Sequence, residues 1–197
     1  MSLVKGRPQS LVDAAGTPVS QLFVGVGWDN STGGKKGLAG RFARAKGVDL
    51  DLACLVYDNT GAGVRVCGFD SMSLYNGALA HSGDNRTGKG DGIDESITAT
   101  LDQVQANISS LVFTLNAFKK GVSFASIAGA DCHLVDTSGG QHQVLDVFSV
   151  PIDDTRKSTI FMAKVTRGGG GWNVEVLNEM ADVDGQAALL QKGKRYT

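Results

Sequence analysis

Short apolar segments separated by glycine-rich turns recur along almost the whole chain, and this pattern restricts the possible folds more than any other feature. The 197 residues include 27 glycines but only 3 prolines. Apolar runs of this length that end at glycine, asparagine or aspartate are typical of β-strands joined by turns. The predicted strands, about nine in number, are residues 22–26, 50–57, 64–69, 97–101, 110–115, 132–135, 144–148, 159–165 and 172–177.

Two pairs of these segments are predicted to form β-hairpins. The second and third segments flank turn residues at 59–61, and the last two flank Arg-Gly-Gly-Gly-Gly at 167–171. Strands and helices do not alternate as they do in parallel α/β sheets. Short helices are predicted only at 123–128 and 185–192. The pattern therefore predicts one all-β domain over residues 1–197, either a sandwich or a barrel.

Charge and hydropathy narrow the class of protein. Nineteen Lys and Arg against 20 Asp and Glu give a net charge of -1, which provides no overall attraction to nucleic acid or anionic membranes. No apolar run is long enough to span a membrane, and residues 1–9 lack the apolar core of a signal peptide. The odd number of cysteines, without CxxC spacing, argues against a disulfide framework or a zinc site. We therefore expect a cytoplasmic protein in which Cys54, Cys67 and Cys132 are reduced and buried.

Two segments are predicted to be long loops, at 30–47 and 71–95. The first contains five basic residues and no acid, and it is either a partner-binding loop or simply solvated. The second contains most of the distinctive chemistry. Loops of this length without secondary structure of their own are usually functional or mobile.

The segment from Gly83 to Glu95 is rich in oxygen ligands. It carries four carboxylates and one amide side chain, on Asp84, Asn85, Asp91, Asp94 and Glu95. Four glycines let its backbone turn sharply and direct carbonyl groups inward. Calcium takes six to eight oxygen ligands, whereas magnesium keeps more of its water, so this loop favours calcium. Crowded carboxylates repel one another without a cation, so binding and ordering should be coupled.

Other interpretations of this segment fit less well. An EF-hand that began at Asp84 would have Arg86 and Gly88 at ligand positions and Lys89 in place of its glycine. A phosphate-binding loop matches as far as Lys89, but Gly90 replaces the required Ser or Thr. Residues 78–81 also make a poor buried strand in front of such a loop. A merely solvated acidic loop is the remaining alternative.

The loop resembles the signature of the TerD family of tellurium-resistance and stress-response proteins. The resemblance rests on Gly-Asp-Asn-Arg-Thr-Gly at 83–88 followed by Gly-Asp-Gly at 90–92 and Asp-Glu at 94–95. It extends to Gly-Val-Gly-Trp-Asp at 25–29 and Val-Asp-Leu-Asp-Leu-Ala at 48–53, and so covers most of the chain.

This resemblance implies a β-sandwich of two mainly antiparallel sheets with one or two short helices, which binds two calcium ions and has no enzymatic activity. The side-chain ligands that it implies are Asp29, Asp49, Asp51, Asp84, Asn85, Asp91, Asp94 and Glu95. Backbone carbonyls of Gly88, Gly90 and Ile93 complete the set. The family often has an acid where this chain has Ile93, and its segment between Asp29 and Asp49 is usually shorter and less basic.

The leading hypothesis is a non-enzymatic calcium-binding protein that acts with other proteins of the same resistance system, without binding nucleic acid or inserting into a membrane. The alternative is an enzyme that uses the loop at 83–90, either to handle phosphate or as a metal-dependent hydrolase. Asp49 and Asp51, two residues apart, should lie on one face of a strand opposite the acidic loop. Trp28 and Trp172 are expected in the core.

Overall fold

In the part of the chain that the structure describes, twelve strands form two six-stranded antiparallel sheets. The computed structural model describes residues 2–30, 48–88, 92–117, 124–153 and 156–197. The strands are β1 Gln9–Ser10, β2 Gln21–Asn30, β3 Asp51–Asp58, β4 Gly63–Cys67, β5 Ser73–Leu74, β6 Leu79–His81, β7 Glu95–Thr100, β8 Ile108–Asn116, β9 Ile127–Asp136, β10 Gln143–Ser149, β11 Thr159–Gly168 and β12 Gly171–Ala181. The first sheet has the order β1-β12-β11-β8-β3-β4, and the second has the order β10-β9-β2-β7-β6-β5. The predicted all-β sandwich is confirmed.

Strand β2, in the middle of the second sheet, shows how the alternation of apolar residues decides which face of the strand points into the core. Leu22, Val24, Val26 and Trp28 are at most 3% exposed and point into the core between the sheets. Their neighbours in the sequence point outward, because successive side chains of a strand lie on opposite faces. This outer face carries Phe23, Gly25, Gly27 and Asp29, of which Asp29 is exposed.

Strand β3 is buried on both faces. Leu52, Cys54 and Val56 lie in the core between the sheets, whereas Leu55 and Tyr57 belong to a second apolar cluster on the outer side of the first sheet. Burial on both sides explains the continuous apolar sequence of this strand.

The second cluster lies under the C-terminal helix α1, Gly185–Gly193. Leu189 is 1% exposed against it, and the Tyr57 hydroxyl donates a 2.8 Å hydrogen bond to the carbonyl of Leu190. A side chain at Gly193 would collide with Tyr57, so the close approach of helix and strand requires glycine there. The helix predicted at 185–192 is confirmed, and it covers one sheet only.

Three local predictions were wrong. The helix predicted at 123–128 is only a 3-10 turn at Phe124–Ser126, because Ile127 already pairs with Asn30 and begins β9. Residue 123 lies outside the described residues. The supposed loop at 71–95 contains β5 and β6, and Leu79–His81 is a true strand because it pairs with β7 on one side and with β5 on the other.

The cysteines are unpaired and fully buried, as predicted. Cys54 on β3 lies opposite Cys67 on β4, and burial raises the pKa of Cys67 to about 11. Among the described residues, no helix has both the length and the apolar character needed to cross a membrane. Of the predicted basic loop at 30–47, residues 31–47 lie outside the described residues.

Candidate metal centre

Three carboxylates converge at one end of the sandwich. One oxygen from each of Asp49, Asp51 and Asp84 lies within 4.8 Å of the other two. Asp49 and Asp51 come from the start of β3 in the first sheet, whereas Asp84 follows β6 in the second sheet. The site therefore exists only because the two sheets pack with these ends together.

The crowding of these acids changes the chemistry of Asp51. Burial is the largest cause, and together with the charges of Glu95, Asp49 and Asp84 it raises the pKa of the Asp51 carboxyl to about 7, whereas His81 opposes the shift. Part of the local charge is balanced by Arg86, whose Nε donates a 2.7 Å hydrogen bond to Asp84. That guanidinium is largely exposed, so its ion pair contributes little. A divalent cation would relieve the remaining repulsion.

Glu95 has a different position from these three acids. It is only 1% exposed, and one of its oxygens accepts a 2.8 Å hydrogen bond from the backbone amide of Leu52. Its other oxygen accepts a 2.9 Å bond from the amide of Asn85. The Glu95 carboxylate thus joins the two sheets and fixes the start of the acidic loop.

Asp94 and Asn85 organise the loop itself. The two carboxylate oxygens of Asp94 accept 2.8 Å hydrogen bonds, one from the backbone amide of Trp28 and one from the side-chain amide of Asn85. The Asn85 oxygen accepts the amides of Thr87 and Gly88. Burial raises the pKa of Asp94, although the hydrogen bonds from Trp28 and Asn85 to its carboxylate act in the opposite direction. The loop is therefore held in place by residues that the sequence suggested as ligands.

Two further residues support the site and were not identified from the sequence. His81 Nδ1 accepts the amide of Gly83 at 3.0 Å, so the proton is assigned to Nε2, which lies 3.1 Å from the carbonyl of Leu52 and 3.5 Å from Glu95. Trp28 is buried as predicted, and its indole N–H also donates a 3.1 Å bond to the carbonyl of Val48. For His81, the only signal in the sequence was its position at the end of an apolar segment, directly before the acidic loop.

Glycines allow the loop to lie close to β2. A side chain at Gly88, whose φ is +49°, would overlap the indole of Trp28. A side chain at Gly27 would collide with the carbonyl oxygen of Gly92. Ile93 is 39% exposed, and its methyl groups lie over Gly25. A ligand role for the backbone carbonyls of Gly88 and Ile93 stays a prediction.

The remaining predicted ligands lie apart from the three-carboxylate group or outside the described residues. Asp29 is exposed on the outer face of β2, and its charge contributes to the raised pKa of Asp94. Gly90 and Asp91 lie outside the described residues. Both ions of the predicted pair therefore stay predictions.

The donor atoms fit a hard divalent cation. Asp49, Asp51 and Asp84 offer only carboxylate oxygens, which calcium and magnesium prefer. Both ring nitrogens of His81 already have protein partners, and no other group of three or more His, Cys, Asp or Glu within the described residues has metal-ligand spacing. Softer ions that select thiolate or imidazole find no such set there.

Comparison with known proteins gives consistent matches over nearly the whole chain. A family model described as the TerD domain matches residues 1–192. Tellurium resistance protein TerZ of Serratia marcescens is 36% identical over 178 residues, which cover 90% of this chain and 88% of the relative. Stress response protein SCP2 of Bacillus subtilis (strain 168) is 29% identical over 189 residues, or 91% of this chain and 92% of the relative.

A solved structure supports the fold. The crystal structure of a homologue of telluride resistance protein (TerD) from Streptomyces coelicolor A3(2) superimposes with a TM-score of 0.63 at 18% sequence identity. The match covers 87% of this chain and 94% of that one. At this identity the likeness concerns the arrangement of the sheets.

Proposed function

This chain belongs to the TerD domain family, and on that basis we propose that it is a non-enzymatic calcium-binding protein of tellurium resistance and stress response. The observation that carries the proposal is the convergence of Asp49, Asp51 and Asp84 within 4.8 Å. Carboxylates held this close repel one another, and bound calcium removes that repulsion. The stabilisation gained on binding then favours the ordered loop.

The three carboxylates supply part of a calcium shell. Calcium takes six to eight oxygens, and the others come from loop carbonyls and water. A second ion binds at Asp29 and Asp94, and Asp91, which lies outside the described residues, is the further ligand that the family resemblance implies. The influence of Asp29 on the pKa of Asp94 supports this pairing, because it requires the two charges to lie near each other.

The hydrogen bonding of the loop supports a binding role over phosphate chemistry. A phosphate-binding loop needs unused backbone amides and the N-terminus of a following helix. Here the amides of Gly83, Asn85 and Gly88 already donate to protein groups, and the segment continues into strand β7. We therefore propose that calcium acts through ordering of the loop and through contacts with partner proteins.

Isothermal titration calorimetry of metal-stripped protein tests the calcium site. We expect saturable heat with calcium, weaker binding of magnesium, and a loss of affinity in Asp84→Asn. Asp102→Asn, an exposed change away from the three-carboxylate group, is the matched control. Absence of calcium binding up to about 1 mM would contradict the proposal, because that exceeds the range of intracellular calcium sites.

The link to tellurium resistance is tested separately in cells. A host strain that lacks its own TerD-family gene is complemented with the gene for the wild-type chain, for Asp84→Asn or for Asp102→Asn. Each strain is then grown on tellurite. We expect Asp84→Asn alone to fail, at equal protein levels. Equal growth with all three chains would mean that resistance does not depend on calcium binding at Asp84.

A further inference from the structure

A groove runs along β9 on the open outer face of the second sheet. Its volume is about 480 Å³. Gly92 and the end of β2 form one wall, and the residues that follow β10 form the other. The floor is β9 itself, from Ala128 to His133, which gives a length of about 17 Å.

Packing within the described part of the chain does not require glycine at position 129, in the floor of the groove. An added Cβ atom would meet no described atom within 4 Å, and the backbone there does not adopt the left-handed conformation that favours glycine. Glycine within a strand lowers its stability relative to residues with side chains. The observable effect of Gly129 is to leave room above β9, where another backbone can approach closely.

Two carboxylates lie on this face at a defined spacing. Asp131 pairs with Gly27 and Asp29 pairs with Gly129, so the two acids are diagonal neighbours on adjacent strands. Both point outward, because Trp28 and Ala130 between them point into the core. Diagonal neighbours of this kind are about 7–8 Å apart.

The described lining of the groove is acidic. Its other titratable lining residue is His133, and none of the described residues that line it is Lys or Arg. Asp131 also accepts a 2.8 Å hydrogen bond from the Ser149 hydroxyl, which holds the carboxylate at the groove wall. A cationic occupant of extended shape is therefore complementary to the groove in charge and in form.

We propose that this groove binds an extended segment of a partner protein in which two basic side chains are separated by one residue. Side chains two apart in an extended peptide lie on the same side at a spacing of about 6.6–6.8 Å, which matches Asp29 and Asp131. The open space above Gly129 lets the peptide backbone approach the sheet. The groove thus selects a Lys-x-Lys or Arg-x-Arg pattern by spacing and excludes acidic segments by charge.

The inference goes beyond calcium binding. Asp29 is also a ligand of the proposed second calcium ion, so the peptide and that ion would compete for it, and the peptide is therefore tested without calcium. Isotope-labelled full-length protein in EGTA is titrated with the peptide acetyl-Ala-Val-Lys-Ala-Lys-Val-Ala-amide, and amide shifts are followed by NMR. We expect saturable shifts at Gly129, Asp131 and His133. A peptide with the two lysines adjacent should bind more weakly, and one with glutamates in their place should not bind.

Variants of the groove separate this site from the acidic loop. Gly129→Val fills the floor with a residue that favours strands, and we expect it to lower peptide affinity about tenfold while calcium titration stays unchanged. Asp131→Asn removes one charge and should lower affinity by about threefold to fivefold, the range of a single exposed ion pair. Asp102→Asn should have no effect.

Three results would overturn the proposal. One is the absence of saturable shifts in the wild-type protein. Another is peptide binding that survives Gly129→Val but is lost in Asp84→Asn, which would place the peptide on the carboxylates of the metal centre. The third is a dimer in solution that Gly129→Val converts to a monomer, since the groove would then hold a second copy of the chain.

Discussion

The carboxylate of Glu95, on β7, accepts its hydrogen bond from the backbone amide of Leu52, on β3, so these two residues connect the two sheets directly. Both are almost fully buried, and the donor–acceptor distance is 2.8 Å. Leu52 follows Asp51, and the other oxygen of Glu95 holds the amide of Asn85, which follows Asp84. One buried side chain therefore fixes the spacing between acids that the two sheets contribute separately.

We expect Glu95→Ala to lower the free energy of unfolding by about 3 kcal/mol or more. The change leaves the buried amide of Leu52 and the half-buried amide of Asn85 without their acceptor, and hydrogen bonds to charged groups contribute about 1.5–3 kcal/mol each. Urea denaturation in EGTA measures the effect. Asp102→Ala is the control, because Asp102 is exposed and substitutions at the surface usually change the free energy of unfolding by at most about 0.5 kcal/mol. Equal losses in the two variants would mean that Glu95 does not connect the sheets.

Saturating calcium should raise the midpoint of thermal unfolding of the wild-type protein. A ligand at a hundred times its dissociation constant stabilises the native state by about 2.7 kcal/mol. In Asp84→Asn we expect affinity to fall about tenfold or more, so that the same calcium concentration gives a clearly smaller shift. Differential scanning calorimetry with and without calcium is the measurement. A shift in Asp84→Asn as large as in the wild type would remove Asp84 from the ligand set.

Stability without metal should decrease as the pH rises, through Asp51. Its pKa in the folded protein is about 7 against an ordinary value of 3.8, so folding takes up a proton between these values. The contribution of Asp51 to stability is complete below about pH 4 and is lost as the pH rises through about 7. We expect Asp51→Asn to stabilise the metal-free protein more at pH 8 than at pH 5, as measured by urea denaturation in EGTA. The same increment at both values would contradict the raised pKa.

Gly88→Ala should destabilise the acidic loop more than a change of backbone preference alone. The new methyl group would overlap the indole of Trp28 and disturb its hydrogen bond to Val48. Gly139→Ala is the matched control, because Gly139 has a similar positive φ of +63° but no atom within 4 Å of the added carbon. Left-handed backbone alone costs about 1–2 kcal/mol.

Denaturation of both variants, with tryptophan fluorescence as the probe, separates these two effects. We expect Gly88→Ala to lose about 1–2 kcal/mol more than Gly139→Ala and to shift the emission in the native state. Identical losses and an unchanged emission maximum would show that the loop does not rest on Trp28.

The fold was predictable because its signals are local. The alternation in β2, the hairpin turns and the helix near the C-terminus each follow from a few consecutive residues. The helix expected at 123–128 failed because pairing of Ile127 with Asn30, far away in the sequence, overrides a weak local preference. Strand β6 was missed for the same reason, since three residues become a strand only between two partners.

The site was predictable in part. The sequence identified the acids, and the structure brings Asp49, Asp51 and Asp84 together. The sequence could not show that Glu95, Asp94 and Asn85 form hydrogen bonds within the protein, because those bonds depend on how the sheets meet. His81 was missed because its partners come from a different strand and from the loop.

Helix α1 packs against the first sheet and not against the second, so the two outer faces of the described structure differ, and the face of the second sheet is called the front here. The groove along β9 and Asp29 at the edge of the acidic loop both lie on the front. Two copies that met front to front would form a closed pair with two-fold symmetry, and neither copy would keep a second such surface for a further copy. Growth into filaments would therefore need a second surface, different from the front.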